Sequence, residues 1–258
     1  MHLKDLKTFV QTRFPRLYRL ARKAYFLPRD YWKPRSGSVV QILEGFCFNS
    51  GNSDMRFIQV GANNGNDEFA HLRKRYCWKG VMVEPQKDVF DELVQSNQAP
   101  GIAFEMVAIA DQECEKTLYK ISFSKAAWAT GMASFDKSVM ETYIKNGWIA
   151  KCAAQEGVAL PAKVEDYYTS ETVRCVSLKT LLEKHRITSL DVFIVDTEGH
   201  DYFVVKQIEH LSFRPRVVLF EHKNLPDRDF KACVGLLRSW GYRLSSDDSN
   251  TIGVRQGN

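Results

Sequence analysis

Apolar residues recur along this chain in two different rhythms. Leu3, Leu6, Phe9, Val10, Phe14, Leu17, Leu20, Ala21 and Ala24 return at steps of three and four, the stripe of an amphipathic helix, with Pro15 starting a second helical turn or kinking the first. Residues 28–38, with Pro28, Pro34 and Ser36-Gly37-Ser38, break that pattern and read as a linker, and 39–48 reads as a short helix. From Met55 the rhythm changes to short apolar runs at 56–60, 80–83, 102–107, 190–195 and 216–220, separated by helical segments. Strand and helix in alternation predict a mainly parallel sheet with right-handed crossovers. About 80 residues separate the third run from the fourth, too many for one crossover. They contain 117–123 and 172–176 as extended candidates and predict an insertion, at about 114–176, over the ligand edge of the sheet. Segments 242–244 and 251–254, around a turn at 245–250, predict a closing hairpin. The chain thus divides into an arm and linker over 1–50 and one α/β domain over 51–258, without repeats or low-complexity tracts.

Composition narrows the class. With 258 residues, 44% apolar and 26% charged, the chain has the makings of a large core and is not a disordered polypeptide. No apolar run approaches the ~18 residues of a transmembrane helix, and the first residues lack a signal peptide's apolar core. The six cysteines, at 47, 77, 114, 152, 175 and 233, contain no C-x-x-C pair, so neither a zinc finger nor a redox dithiol is suggested. A cytoplasmic, reducing location is the expectation. Net charge is +5, yet residues 1–35 hold ten Lys/Arg against Asp5 and Asp30, a segment charge of +8 that leaves −3 for the rest. The basic face of that segment suits a packed helix with a solvated side, a peripheral contact with an anionic membrane, or a partner subunit. Nucleic acid is not expected, because no basic and aromatic interleaving is present.

The most informative stretch is Phe57-Ile58-Gln59-Val60-Gly61-Ala62-Asn63-Asn64-Gly65, an apolar strand running into a turn of small residues and then a helix starting near Asp67. Glycine at a strand end lets the backbone approach a ligand, and a following helix offers unpaired N–H groups. The G-x-x-x-G spacing lacks the dinucleotide fingerprint, and no lysine of a phosphate-binding loop follows, so nicotinamide, flavin and nucleoside triphosphates are disfavoured. About twenty residues on, Val81-Met82-Val83 ends in Glu84-Pro85. A carboxylate at the tip of the second strand is placed to accept both ribose hydroxyls of an adenosine; a solvated loop acid or a helix-cap partner is the alternative.

These residues, followed by Val107-Ala108-Ile109-Ala110-Asp111, by Ile194-Val195-Asp196-Thr197-Glu198-Gly199-His200-Asp201, and by Leu219-Phe220-Glu221-His222, resemble the FkbM family of S-adenosylmethionine-dependent methyltransferases. The resemblance covers roughly residues 55–225, and Asp-x-Glu-Gly is its least generic piece. It implies a class I methyltransferase: a Rossmann-like, doubly wound, seven-stranded mixed sheet, here with an N-terminal helical arm and an insertion between strands 3 and 4. It also implies a division of labour. The turn Gly61, Ala62, Asn63, Asn64 and Gly65 would hold the amino acid end of S-adenosylmethionine, Glu84 with Pro85 the ribose, and Ala108 the adenine, with Asp196 also beside the cofactor. Asp111 either joins the adenine pocket or begins a turn. Asn63-Asn64 and Asn66-Asp67 make the turn more polar than is usual.

Asp196 and Glu198 end the fourth strand and Glu221 and His222 the fifth, so a parallel sheet is expected to bring all four to one rim. A hydroxyl acceptor needs a base, and His222 has the intrinsic pKa for it, with Asp196 or Glu221 as alternatives. The same four residues suit a divalent ion such as magnesium, and the sequence does not separate metal from base. His200 is read as capping the next helix or as solvated in preference to facing the site. Residues 128–135 resemble the Gly-to-Ser segment that many family members carry over the cofactor, in which Ser134 either touches a ligand or belongs to a lid held by its own aromatics. Trp128, Tyr143, Trp148, Tyr167 and Tyr168 are the natural place for acceptor recognition or local core. The resemblance therefore implies O-methylation of a small-molecule or glycan acceptor, a sugar or polyhydroxylated secondary metabolite. N-methylation and a non-catalytic cofactor-binding scaffold are the alternatives.

Overall fold

The computed structural model describes residues 38–50 and 55–255. The expected arm at 1–35, and the linker apart from Ser38, lie outside the described residues. Helix α1 (Val39–Asn49) leads into β1 (Arg56–Val60), α2 (Ala70–Arg75), β2 (Lys79–Val83), α3 (Lys87–Asn97) and β3 (Ile102–Glu105). Next come β4 (Ala108–Ile109), β5 (Cys114–Ile121), α4 (Ala127–Thr130), α5 (Lys137–Lys145), α6 (Trp148–Glu156) and β6 (Tyr168–Val176). The chain ends with α7 (Leu178–Lys184), β7 (Val192–Val195), α8 (Asp201–Val205), β8 (Val217–Glu221), α9 (Asp227–Ser239), β9 (Tyr242–Ser246) and β10 (Asn250–Arg255).

Among the described residues, seven strands form one sheet in the order β3-β2-β1-β7-β8-β10-β9. The first five are parallel, and β10 runs antiparallel between β8 and β9. This is the Rossmann-like, doubly wound mixed sheet that the sequence implied. Chain order reverses between β1 and β7, which opens a crevice at their carboxyl ends. The strands are apolar throughout because both faces are covered: Ile58, Val81, Phe193 and Val218 pack on one side, and Phe57, Met82, Val192 and Leu219 on the other. Helix α1, grouped with the arm by its sequence, belongs to this core. Val39, Leu43, Phe46 and Cys47 are buried in it, and the Val39 N–H donates to Asp247 at 3.1 Å.

The expected third strand, 102–107, is split. β3 ends at Glu105, held by Lys184 and His185, and Ala108–Ile109 joins a second sheet of order β4-β6-β5. The extended candidates at 117–123 and 172–176 are the paired strands β5 and β6, longer than their apolar stretches because alternate residues are solvent-facing. Between them, α4, α5 and α6 build a separate small core of Ile121, Met132, Met140, Tyr143 and Ile149. No helix among the described residues is long and apolar enough to cross a membrane.

Candidate active site

The turn after β1 is shaped by close packing. Gly61 has φ +77°, and a Cβ there would lie 1.6 Å from the carbonyl oxygen of Asp196, so only glycine lets the tips of β1 and β7 meet. The N–H groups of Gly61 and Ala62 are already spent on the Val83 carbonyl, at 3.0 and 2.9 Å. Asn63 takes the left-handed conformation, φ 46°, one that asparagine tolerates. The expected helix start near Asp67 is corrected: α2 begins at Ala70, and Asp67 instead accepts from the Phe69 N–H at 2.8 Å. The loop is fastened from behind by buried Arg73, which donates to Gln59 at 2.9 Å, Asp67 at 2.9 Å and the Gly65 carbonyl at 2.5 Å. Neither Gln59 nor Arg73 was singled out from sequence.

Glu84 is buried, 3% exposed, and both oxygens are engaged. One accepts from the Asn63 N–H at 2.8 Å, the other from the Gln86 N–H and side-chain amide at 3.0 and 3.1 Å. Burial raises its pKa against the pull of these donors. The Gln86 amide also donates to the Thr130 carbonyl at 2.9 Å, and the Thr130 hydroxyl to Asn63 Oδ1 at 3.0 Å. A closed ring of bonds thus ties the insertion's α4 to the tips of β1 and β2. Glu84, Pro85 and Ala108 line one crevice together with Gly61, Asn63 and Asp196. Ala62 and Asn64 border a second basin, which Gly61, Asn63 and Asp196 share with Glu68. Asp111 is exposed and within 3.7 Å of Lys206, away from the crevice lining.

Three of the four expected rim residues meet. Carboxylate oxygens of Asp196, Glu198 and Glu221 lie within 4.8 Å of one another. His222 does not join them: Thr251 Oγ1 lies 3.1 Å from its Nδ1, and its ring packs on Phe230 with centroids 4.9 Å apart. Burial lowers its pKa, and Asp247 opposes that. Its place is taken by Asn224, two residues on, whose amide donates to Glu198 at 2.5 Å, Tyr143 Oη at 2.8 Å and Glu221 at 3.1 Å. The Tyr143 hydroxyl donates to Glu198 at 3.2 Å.

Asp196 is open to the crevice and makes no side-chain hydrogen bond among the described residues. Lost hydration, then the charges of Glu221 and Glu198, push its pKa well above the usual carboxylate range, and Glu198 is raised by burial and Glu221 likewise. Glu221 is raised by burial against the Asn224 bond. The connecting loop is strained, with Glu198 at φ 50° and Gly199 at φ +100°. Two contacts hold it: fully buried Asp201 accepts from the Thr197 and Gly199 N–H groups at 3.3 Å, and buried Ser134 donates to the Glu198 carbonyl at 2.6 Å. Ser134 is thus a brace for this loop. Trp128, Tyr143, Tyr167 and Tyr168 belong to the insertion's core, whereas Trp148 is 39% exposed. His200 occupies the N-cap position of α8 but makes no capping bond, and it faces the crevice.

Residues 59–244 match the family model described as the methyltransferase FkbM domain. No curated protein matches the chain. Among solved structures, the METTL16 MTase domain is similar at 10% identity and TM-score 0.44, over 84% of this chain and 66% of that one, so the chain spans just under two thirds of its length. Aeropyrum pernix fibrillarin, in complex with natively bound S-adenosyl-L-methionine, is similar at 10% identity and TM-score 0.40, over 79% and 67% of the two chains. A Methanococcus jannaschii fibrillarin pre-rRNA processing protein is similar at 11% identity and TM-score 0.41, over 88% and 78%.

Proposed function

Because the chain belongs to the FkbM methyltransferase family, we propose that it transfers the methyl group of S-adenosylmethionine to a hydroxyl oxygen of a sugar, glycan or polyhydroxylated metabolite. The residues present fit that cofactor. Gly61 and Asn63 of the turn line the same crevice as Glu84, a buried acid at the tip of β2, and Ala108, whose small side chain leaves width for a flat base. The turn would hold the amino acid end, Glu84 the ribose, and Ala108 with Ile109 the adenine. When bound, the cofactor supplies an electrophilic methyl on a sulfonium. The protein's part is to orient the acceptor and take its proton as the oxygen–carbon bond forms and the sulfur–carbon bond breaks.

Asp196 carries the reading. It directly follows β7, lacks a side-chain hydrogen-bond partner among the described residues, and borders both the Glu84 crevice and the Asn63 basin. Lost hydration, then the charges of Glu221 and Glu198, raise its pKa and make it a stronger base than an ordinary carboxylate. Asn224 and Tyr143 hold Glu198 and Glu221 beside it. Residues 1–35 are assigned to contact with an anionic membrane or a partner subunit.

The test is to incubate the purified protein with the cofactor and matched panels of hydroxylated and amine acceptors, following S-adenosylhomocysteine and methylated product by mass spectrometry. Methylation of hydroxyls, lost in Asp196→Asn and reduced in Glu221→Gln, is the expected result. Product from amines alone would replace oxygen with nitrogen transfer. Cofactor binding without turnover on any acceptor would make the chain a scaffold. Carboxylates of this kind also suit a magnesium-like ion, so the assay is run with and without chelator. Abolition that magnesium reverses would assign the trio to a metal.

A further inference from the structure

The basic N-terminal segment joins the domain at the rim of the acid cluster. The Val39 N–H, the first of α1, donates to Asp247 at 3.1 Å, and Asp247 also accepts from the N–H groups of Ser249 and Asn250 at 3.2 and 2.9 Å. The Ser249 carbonyl accepts from the N–H groups of His222 and Lys223, at 2.8 and 3.2 Å, just beyond the end of β8 at Glu221. One short turn, 247–250, thus ties the start of α1 to the strand exit that carries Glu221. Only Ser36, Gly37 and Ser38 separate Val39 from residues 1–35, with their charge of +8 and their apolar residues at helical spacing. Lys223 extends the same edge. Its ammonium lies over the Tyr143 ring at 5.2 Å and the Trp148 ring at 5.5 Å, and the Tyr143 hydroxyl donates to Glu198. Trp148 is 39% exposed, and Lys151, three residues on along α6, lies over the same indole at 5.4 Å. Both lysines are exposed, and neither ammonium has a carboxylate partner among the described residues.

We propose that the rim formed by Trp148, Lys151 and Lys223 rests on an anionic lipid membrane, which residues 1–35 also engage, so that the mouth of the site opens onto the lipid surface. An indole is at home at a membrane interface, where its rings meet apolar chains and its N–H stays wet, and the flanking ammoniums meet lipid phosphates. A basic segment with an apolar stripe suits the same surface. A protein partner fits less well. Three side chains fall far short of the roughly 800 Å² per partner of a stable protein interface, whereas a membrane demands no matching shape and attracts cation by cation. Asp248, exposed in the turn, opposes the contact and is outweighed by the +8 of residues 1–35. On the methyl-transfer reading above, and resting on it, the acceptor hydroxyl is then one carried at the lipid surface.

The test uses the full chain with vesicles of phosphatidylcholine, alone or mixed with phosphatidylserine, and with mixed vesicles brominated on the acyl chains. Co-sedimentation should show binding to the mixed vesicles, little to the neutral ones, and a fall with added salt. Brominated lipid should quench tryptophan emission, and Trp148→Phe should remove part of that quenching, which separates the rim from Trp32. Lys151→Gln combined with Lys223→Gln should weaken binding about 25-fold, about fivefold for each cation. Thermal unfolding checks that the variants are folded, and Trp148→Phe, which keeps an aromatic ring, decides if the double variant is not. No binding to mixed vesicles overturns the proposal. Binding with equal quenching in wild type and Trp148→Phe does the same, because residues 1–35 would then tether the chain with its mouth turned elsewhere. Self-association, or retention on heparin, without vesicle binding overturns it as well. Neither readout uses turnover, so failure here leaves methyl transfer standing, and failure of methyl transfer leaves the membrane face standing.

Discussion

The Asn63 N–H donates to a Glu84 carboxylate oxygen at 2.8 Å, so the turn after the first strand is closed onto the acid that ends the second. Glu84 therefore has two duties, bracing the crevice and receiving the ligand. Glu84→Gln sets an amide N–H against the N–H of Asn63 or of Gln86 and should weaken S-adenosylmethionine binding by about 1–3 kcal/mol. Gln86→Leu removes one of the two links of α4 to the ring, keeps the Thr130 bond to Asn63 and leaves the Asn63 contact with Glu84 in place, so it should weaken binding less. Isothermal titration of both variants decides. Equal losses would mean that Glu84 acts only through the brace.

The clustered acids make cofactor binding a proton-linked event. Asp196, Glu198 and Glu221 are each held protonated to higher pH than an ordinary carboxylate, mainly by lost hydration and, for Asp196 and Glu198, by the charge of Glu221. A sulfonium arriving beside them favours the ionised forms, so protons leave on binding and affinity should rise with pH through the raised range. S-adenosylhomocysteine has no sulfonium and should show a shallower rise. The ratio of the two affinities, measured across pH, should therefore shift toward S-adenosylmethionine as pH increases, and Asp196→Asn should flatten it. A pH-independent ratio would separate the acid cluster from the sulfur.

The sheet was legible in the chain because each central strand is apolar on both faces, which leaves little choice for runs such as 56–60 and 216–220. The turn and Glu84 followed from the spacing between consecutive strand tips. Long-range partners were not legible. His222 and Asn224 are two residues apart on the same strand exit, and only the path of that exit decides that the ring turns to Phe230 and Thr251 while the amide reaches Glu198 and Glu221. Tyr143, Ser134 and Thr130 reach the site from an insertion whose own core sets their direction, so the sequence flags Ser134 and Tyr143 as candidates but not that they brace the Glu198 carbonyl and carboxylate. His200 looked like a helix cap because α8 starts there. Its unpaired Nε2 is a property of the packed state alone.

Gly61→Ala should be among the most disruptive single changes in the domain. The added methyl would meet the Asp196 carbonyl oxygen at 1.6 Å, backbone against backbone, and alanine is poorly suited to φ +77°. The two central strand tips must part, which breaks the Gly61 and Ala62 bonds to Val83 and moves Asp196. A loss of several kcal/mol is the scale for a combined overpacking and backbone penalty, accompanied by loss of cofactor binding. Gly157→Ala is the control: it too has positive φ, but nothing lies within 4 Å of the added carbon. Denaturant titration should show Gly157→Ala costing about 1 kcal/mol or a little more, the left-handed penalty alone. Similar losses at the two sites would mean that the strand tips tolerate separation.

Asp201 makes stability depend on pH in a direction opposite to that of most paired acids. Burial, then the negative charge of Glu221, push its carboxyl from 3.8 up to about 8, against the hydrogen bonds of the Thr197 hydroxyl and N–H and of its own N–H. Between those values the folded protein keeps a proton that the unfolded chain gives up, so this contribution is fully present below the lower value and is lost as pH rises through the upper one. Asp201→Asn has nothing to titrate. Asp196, Glu198, Glu221 and Glu84 share the sign of the shift and are present in both proteins, so the wild-type minus variant difference reads Asp201 together with the part of the Asp196 and Glu198 shifts that its charge causes. Urea titrations from about pH 5 to about pH 8 should show that difference falling as pH increases, by at most about 1.4 kcal/mol per unit. The amide keeps only one of the two capping bonds in good geometry, which lowers the variant by a pH-independent amount and leaves the slope unaffected. A difference that stays level across the window, or grows with pH, would mean that Asp201 is ionised in the folded protein and holds the Thr197–Gly199 loop as a carboxylate.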